Sequence, residues 1–376
     1  MRAFAWHPDG SAGPGSIREV DLPVLEVRER GLVLEGLQVE DVRPESLFVQ
    51  HDLCFDHSFG GGPLASPAAE RQARAFGVVN AAYNLRRGMV RLTHLLGQNL
   101  PPLKVKIGIH GDQKPGWGGG HYRLPAERYY DFNEPEPPLP TGEIHLGPGG
   151  RFLTYGSARY FHAPSHNAAI IYHELGHHLC RHTADFRLNN EQPLRAQHNR
   201  KVPLDEGTCD YFTAVLVNTP DIFGWHRADY PRGMQERRRV DGEWTMASFW
   251  GQQSSVTAWG EGADPHIDGT IWSAALWATR VALEARGIQG EVFDRLVAQA
   301  LLRLQPADPE MPRVVAMQWR RSFARFLRAI VEVDRESGAG CADTILHTFR
   351  QRGIAVDGGN EELRDRCRSA LIGATV

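Results

Sequence analysis

An α+β fold is the expectation for this 376-residue chain, and two contrasts along it carry that expectation. Residues 1 to about 65 alternate apolar and polar positions in short runs, as in Leu32-Val33-Leu34-Glu35-Gly36-Leu37-Gln38-Val39, and Pro and Gly interrupt them. That is the period of half-buried strands. Beyond residue 183 a polar connector leads into a stretch where strand signals are sparse and helical periodicity dominates. The predicted organisation is an N-terminal β-rich segment at 1–65, a sheet-containing upper lobe at 66–183 and a mainly helical lower lobe at 184–376.

Each element has a local cause. Gly60-Gly61-Gly62-Pro63 reads as a linker, because Gly and Pro interrupt regular structure. Residues 69–97 carry helical spacing over a long stretch, and Leu103-Lys104-Val105-Lys106-Ile107-Gly108-Ile109 alternates cleanly as a strand. Gly116-Trp117-Gly118-Gly119-Gly120 reads as a loop at a cleft; it lacks the lysine of a phosphate loop and is assigned no nucleotide. Thr141-Gly142-Glu143-Ile144-His145-Leu146-Gly147 is a further short strand. Ala163-Pro164-Ser165 then sets a proline where a first helical turn tolerates it. The Ala168, Ala169, Ile170, Ile171, Leu175 and Leu179 that follow make a mainly apolar helix, suited to burial. No internal repeat is apparent.

Composition narrows the classes of partner. The 42 basic residues are offset by 45 acidic ones, a net charge of -3, and no nucleic-acid motif appears, so DNA and RNA are not expected. Arg237-Arg238-Arg239 reads as a solvated surface run. No apolar stretch reaches the roughly 20 residues that span a bilayer. Met1-Arg2-Ala3-Phe4-Ala5-Trp6-His7-Pro8 holds no sustained apolar region, so the chain as written reads cytoplasmic, or secreted if a leader has been removed. Five dispersed cysteines, an odd number with no CxxC pair, imply no disulfide framework.

The chemistry is concentrated in His173-Glu174-Leu175-Gly176-His177, on the apolar helix. Residues i and i+4 share a helix face about a turn apart, so both imidazoles can reach one metal ion, with Glu174 beside them to act on a water. A buried helix carrying His and Glu must satisfy or neutralise them, and a divalent cation does so. The blander alternative is a pair of core histidines bonded to backbone. His178 and His182 are also four apart, but His178 is rotated about 100° from His177. Leu179 stands where their base should be, and they read as rim or surface residues.

A catalytic zinc needs three protein ligands and an open position. Leu204-Asp205-Glu206-Gly207-Thr208-Cys209-Asp210-Tyr211-Phe212-Thr213-Ala214 is a second predicted helix, whose Glu206 and Asp210 share a face. One can bind metal while the other accepts the second ring proton of a ligating histidine, and Asp205 can do the same for the other histidine. Taken alone, an acidic first turn serves the helix dipole. Cys180 and Cys209 each lie one turn from a proposed ligand. A thiolate there would close the zinc site and make it structural, although Cys is also a common small core residue.

HELGH followed by a Glu206-x-x-x-Asp210 helix resembles the gluzincin metallopeptidases, in particular their thermolysin and fungalysin branches. Asp264-Pro265-His266-Ile267-Asp268-Gly269-Thr270-Ile271-Trp272-Ser273-Ala274-Ala275-Leu276-Trp277 is similar to the fungalysin segment in which a histidine precedes a Gly-x-[IV]-Trp-Ala helix. The resemblance implies His173, His177 and Glu206 as zinc ligands, Glu174 as general base and Asp210 as the acid that orients a ligand histidine. It gives His266 the hydrogen bond to the oxyanion of the tetrahedral intermediate, supported by Glu261 where thermolysin-like enzymes have an aspartate. Tyr211 or Tyr230 would be the second oxyanion donor. It also implies a two-lobed zincin-like fold, with the metal helix between a sheet-containing N-terminal lobe and a helical C-terminal lobe. Looser similarity runs from about residue 70 to 355, from Val78-Val79-Asn80 to the closing helices at Ala300–Phe323, Ile330–Asp334 and Phe349–Ile354. Glu127-Arg128-Tyr129-Tyr130-Asp131-Phe132 departs from the Asn-Ala segment that holds substrate main chain in thermolysin-like enzymes, and Thr141–Gly147 falls where they have the edge strand.

The expected activity is zinc-dependent hydrolysis of a peptide bond in a peptide or protein substrate, as an endopeptidase. Two alternatives are a narrow-specificity intracellular peptide-processing hydrolase and a catalytically silent zinc-binding scaffold of the same fold.

Overall fold

The computed structural model describes residues 1–8, 16–48, 53–55, 67–109, 118–123, 141–149, 151–155, 158–186, 203–222, 238–246, 265–304 and 315–356. Its content is mixed α+β, as the sequence predicts. The chain forms two compact units. The first comprises Met1–Thr93, Asn99–His178 and Leu216–Gln235, and the second His94–Gln98, Leu179–Val215 and Glu236–Val376.

In the first unit, β1 (Arg2–His7) and β2 (Ser16–Asp21) form an antiparallel pair, as do β9 (Arg151–Tyr155) and β10 (Ala158–His162). The main sheet contains β3 (Val24–Arg28), β4 (Gly31–Leu34), β5 (Leu37–Asp41), β6 (Leu103–Ile107), β7 (Gly120–Arg123) and β8 (Glu143–Leu146), in the order β3-β4-β5-β6-β8-β7. The alternating run at Leu32–Val39 becomes the β4–β5 hairpin because Gly36, at φ +68°, turns the chain after Leu34. β5, β6 and β8 run parallel, and α1 (Pro67–Leu96) lies in the crossover between β5 and β6. β3, β4 and β5 therefore belong to the same sheet as the strand at Leu103, while β1 and β2 pair separately. β8, expected at the sheet edge, is interior and wholly buried. Gly120–Arg123, in and after the expected glycine loop, forms the edge instead, antiparallel to β8.

Polar groups fasten α1 to its surroundings. Asn80 Oδ1 accepts the Trp6 amide at 2.9 Å, and its Nδ2 donates to the Ser165 carbonyl at 2.9 Å. Arg74 pairs with Asp41 of β5 at 3.1 Å. Burial would raise the Asp41 carboxyl, but Arg43 and Arg74 outweigh it and hold it below its ordinary range. On the sheet face that carries residues 143 and 145, Glu143 Oε2 accepts from His145 Nε2 at 2.9 Å and Lys106 Nζ at 3.2 Å.

α2 (Ala168–Arg181) follows a 3₁₀ turn at Pro164–His166. The proline thus sits in that turn and does not open α2. Extended backbone at Asn167 separates the two, and Asn167 Oδ1 accepts the amides of Ala169 at 2.9 Å and Ile170 at 3.3 Å, so the cap is Asn167.

The described residues of the second unit include α3 (Pro203–Val217), α4 (Pro265–Ala285), α5 (Gly290–Arg303), α6 (Val315–Ser337) and α7 (Ala342–Gln351). The Trp272 ring packs against Phe323, Phe326 and Phe349 at centroid distances of 5.2, 4.9 and 5.2 Å, which ties α4 to α6 and α7. The Tyr211 hydroxyl donates to Asp294 Oδ1 at 2.6 Å, and Arg280 Nε reaches the same oxygen at 3.1 Å, joining α3, α4 and α5. Asp334 caps α7 through the amides of Cys341 and Ala342, at 2.9 and 2.8 Å. Among the described residues no helix is long and apolar enough to cross a membrane.

Asn167→Ala is expected to lower stability by about 1 kcal/mol, seen as a lower urea midpoint at an unchanged slope. Burial opposes the Glu143 charge, but the His145 hydrogen bond and the Lys106 charge bring its carboxyl from 4.5 down to about 2. A carboxyl lowered in the fold stabilises above its ordinary pKa, and this contribution is lost as pH falls from 4.5 through about 2. Glu143→Gln should therefore be less stable than the native protein at pH 7, and urea midpoints across that acid range should converge.

Candidate metal centre

Every residue of α2 from Ala168 to Cys180 is buried, including His173, Glu174, His177 and His178. Four ionisable side chains on one enclosed helix need partners close at hand, because burial penalises charge and unsatisfied polar atoms. His173 and His177 stand side by side, their ring centroids 4.9 Å apart and their planes at 88°. That is the i, i+4 neighbour relation the pentapeptide predicts. Glu174, on the adjacent face, is 5% exposed. Its Oε2 is buried and makes no hydrogen bond among the described residues. β7 runs directly against this carboxylate: a Cβ added to Gly120 would lie 3.1 Å from Glu174 Cγ and 3.2 Å from Glu174 Oε1. A side chain at this point of the edge strand would press on Glu174 and on Leu146, whose Cδ2 would lie 3.0 Å from the added Cβ.

His178 is not the rim residue the sequence suggests. It is fully buried, with Nδ1 2.9 Å from the Tyr122 hydroxyl of β7 and Nε2 donating to the Pro101 carbonyl at 3.0 Å. α2 has no solvent face, so the rotation away from His177 turns His178 towards the sheet. His182, past the end of the helix, is half-buried. Further polar pins hold the same helix. The Tyr172 hydroxyl donates to Asn84 Oδ1 at 2.7 Å and accepts from Arg87 Nη1 at 2.8 Å.

In the second unit, Asp205 and Glu206 occupy the first turn of α3 and are 2% and 0% exposed. Acids placed only to complement a helix dipole stay in water, so their burial points to closer partners. His266 lies in the first turn of α4 instead of ahead of the helix, and its Nε2 is 3.3 Å from Glu206 Oε2. The two helices touch at glycines. A Cβ on Gly269 would come within 2.7 Å of the Gly207 nitrogen and 2.8 Å of the Pro203 carbonyl oxygen.

Arg238 grips both oxygens of Asp210, Nη2 to Oδ1 at 2.6 Å and Nε to Oδ2 at 3.2 Å. Arg238 is thus a half-buried partner of an acid and not part of a solvated run. Sequence reading missed it because the pair is 28 residues apart. The Tyr211 hydroxyl is committed to Asp294 in the helical core, which takes it out of contention as an oxyanion donor. Cys180 and Cys209 are buried and form no disulfide among the described residues. Burial first, then the Cys180 thiol and the Asp205 and Glu206 carboxylates, push the Cys209 thiol well above its ordinary range. Glu261, Tyr230 and Glu127–Phe132 lie outside the described residues.

Each unit thus offers donors suited to a divalent cation: two neighbouring imidazoles with a carboxylate oxygen lacking a donor in the first, and a buried carboxylate with an imidazole beside it in the second. This N/O set is the kind that zinc takes. No protein-family model matches the chain, and comparison with curated proteins finds no match.

Gly120→Ala is expected to shift Glu174 or Leu146 by a few tenths of an ångström and to cost about 1 kcal/mol of stability from overpacking. A crystal structure of the variant and its urea midpoint check both effects.

Proposed function

We propose that this chain is a zinc metallopeptidase of the gluzincin type, with a zincin-like fold, in which His173, His177 and Glu206 bind the ion. The observation that carries the reading is Glu174, a buried carboxylate beside two i, i+4 imidazoles whose Oε2 has no hydrogen-bond donor among the described residues. A native fold seldom tolerates such an atom without a functional reason. Bound by this set, zinc would supply the Lewis acidity that makes a water nucleophilic near neutral pH and polarises a peptide carbonyl.

The chain's own groups do the rest. Glu174 takes the proton of the attacking water and passes it to the leaving amine. Asp205 or Asp210 accepts the second ring proton of a ligating histidine and so fixes its tautomer. Gly120 keeps β7 close to the general base. As the edge of the described sheet, β7 offers backbone groups to an extended peptide, which would lie along it as an added strand with its scissile bond near Glu174. This favours a peptide over a small-molecule substrate and fits internal cleavage.

Glu174→Gln is expected to retain zinc and lose at least about a hundredfold in hydrolysis of casein or of a panel of defined peptides. Glu206→Ala is expected to lose the zinc itself. Metal analysis of the purified protein together with peptide assays tests the reading: a native protein that carries no zinc and is indifferent to chelators would sink it.

A further inference from the structure

The edge strand of the main sheet meets α2 at two points. Gly120 and Tyr122 of β7 point to one face, being two apart on a strand. Glu174 and His178 share a face of α2, being four apart on a helix. Gly120 borders the Glu174 carboxylate, and the Tyr122 hydroxyl lies 2.9 Å from His178 Nδ1. The strand is thus fastened to the helix one turn beyond the place where it passes the carboxylate.

The hydroxyl has a built seat. Tyr122 is buried, and its Oη donates to the Thr141 carbonyl at 2.6 Å. On the other side of the imidazole, His178 Nε2 donates to the Pro101 carbonyl at 3.0 Å. Gly142 follows Thr141 at φ +88°, and a Cβ there would collide with the Tyr122 hydroxyl. A phenylalanine ring would fill the same core without the cost of burying an oxygen, so the seat serves the hydrogen bonds and not the packing.

The main chain of β7 gives the fastening a chemical consequence. The Gly147 amide donates to the Gly119 carbonyl at 2.9 Å, while the Leu146 carbonyl accepts the Gly108 amide at 2.9 Å, from the side of β6. Gly120, opposite Leu146, therefore forms a non-hydrogen-bonded pair of the β7–β8 ladder, and its own N–H and C=O face away from β8. Among the described residues that side is the edge of the sheet. One residue thus turns its backbone outward, where an added strand would pair, and lies against Glu174.

We propose that Tyr122 is a positioning residue for hydrolysis: through His178 its hydroxyl holds β7, and with it a peptide paired to Gly120, in register with Glu174. The proposal rests on the peptidase reading above. Proton transfer needs heavy atoms within about 2.6–3.2 Å, and a misplacement of about 1 Å costs about a hundredfold in rate. A peptide on a strand that has slipped along α2 keeps its backbone bonds, so the loss falls on kcat and not on KM.

Tyr122→Phe removes one oxygen and keeps the ring. It is expected to lower kcat on defined peptides at least about tenfold, with KM and zinc content within about twofold of the native values. A hydroxyl that only stabilises the fold would lower the urea midpoint and leave kcat of the folded enzyme unchanged, and that result overturns the proposal. Gly142→Ala keeps the hydroxyl but fills its seat; the same loss of kcat at unchanged KM is expected, and an unchanged kcat counts against the proposal should Tyr122→Phe fail to fold. A crystal structure of the native protein with an uncleavable phosphinic peptide needs no variant. It should show peptide main chain bonded to Gly120 and the Tyr122 hydroxyl on His178. A peptide seated elsewhere overturns the role of Tyr122 and leaves the zinc reading intact, whereas a native protein that neither holds zinc nor cleaves peptides overturns both.

Discussion

The first unit is organised around the enclosure of α2. A helix buried on every side has no face on which to leave an ionisable group, yet this one carries His173, Glu174, His177 and His178. Each then has to be matched by something inside the protein. The surrounding elements are fitted to that demand: β7 and the segment before β6 supply the hydroxyl and carbonyl that hold His178, and α1 supplies the Asn84 and Arg87 side chains that hold Tyr172. These bonds fix the roll and height of the helix. Rotation by even part of a turn would break several of them at once and strand buried polar atoms, each at a cost of about 1–3 kcal/mol. The position of Glu174 over β7 follows from this fixed roll.

The second unit solves a related problem with backbone contact. Gly207 and Gly269 let α3 and α4 touch where Glu206 and His266 project. Further along the same helices, Tyr211 and Arg280 converge on Asp294 of α5, and Trp272 seats α4 on the aromatic rings of α6 and α7. The site end of each helix is thus set by small residues and the far end by large ones. Burial pushes the Tyr211 hydroxyl well up, so it stays protonated and remains a donor to Asp294 across the working pH range.

What was legible in the sequence follows the range of the interaction. The pentapeptide, the acidic turn of α3 and the strand at Leu103 are local patterns, and they fold as helix, helix and strand. The edge strand was not legible, because Gly120 suppresses the alternation that marks a strand, and its purpose, space for Glu174, lies 54 residues away. The burial of His178 depends on knowing that α2 has no open face, which no helical wheel can show. Arg238 looked like one member of a charge run until its partner Asp210 was in view. Asn167 was readable in principle, as a good capping residue one place before the apolar run, but the proline three residues earlier is also a helix-start signal. Here the proline opened a 3₁₀ turn, and the extended backbone of Asn167 ended it.

The buried acids differ in how they are satisfied. Asp41 is gripped by Arg43 and Arg74, Asp210 by Arg238, Glu143 by His145 and Lys106, and Asp334 by two backbone amides at the start of α7. Each of these carboxylates is neutralised by donors that the fold itself provides, and each ties two segments together. Among the described residues Glu174 ties nothing through its Oε2, and the strand beside it presents a glycine in place of a donor. This carboxylate is buried and, among those residues, has one oxygen without a hydrogen-bond donor. Under the proposed function that oxygen is left for the attacking water, and its place depends on the same enclosure of α2 that removes the helix from solvent.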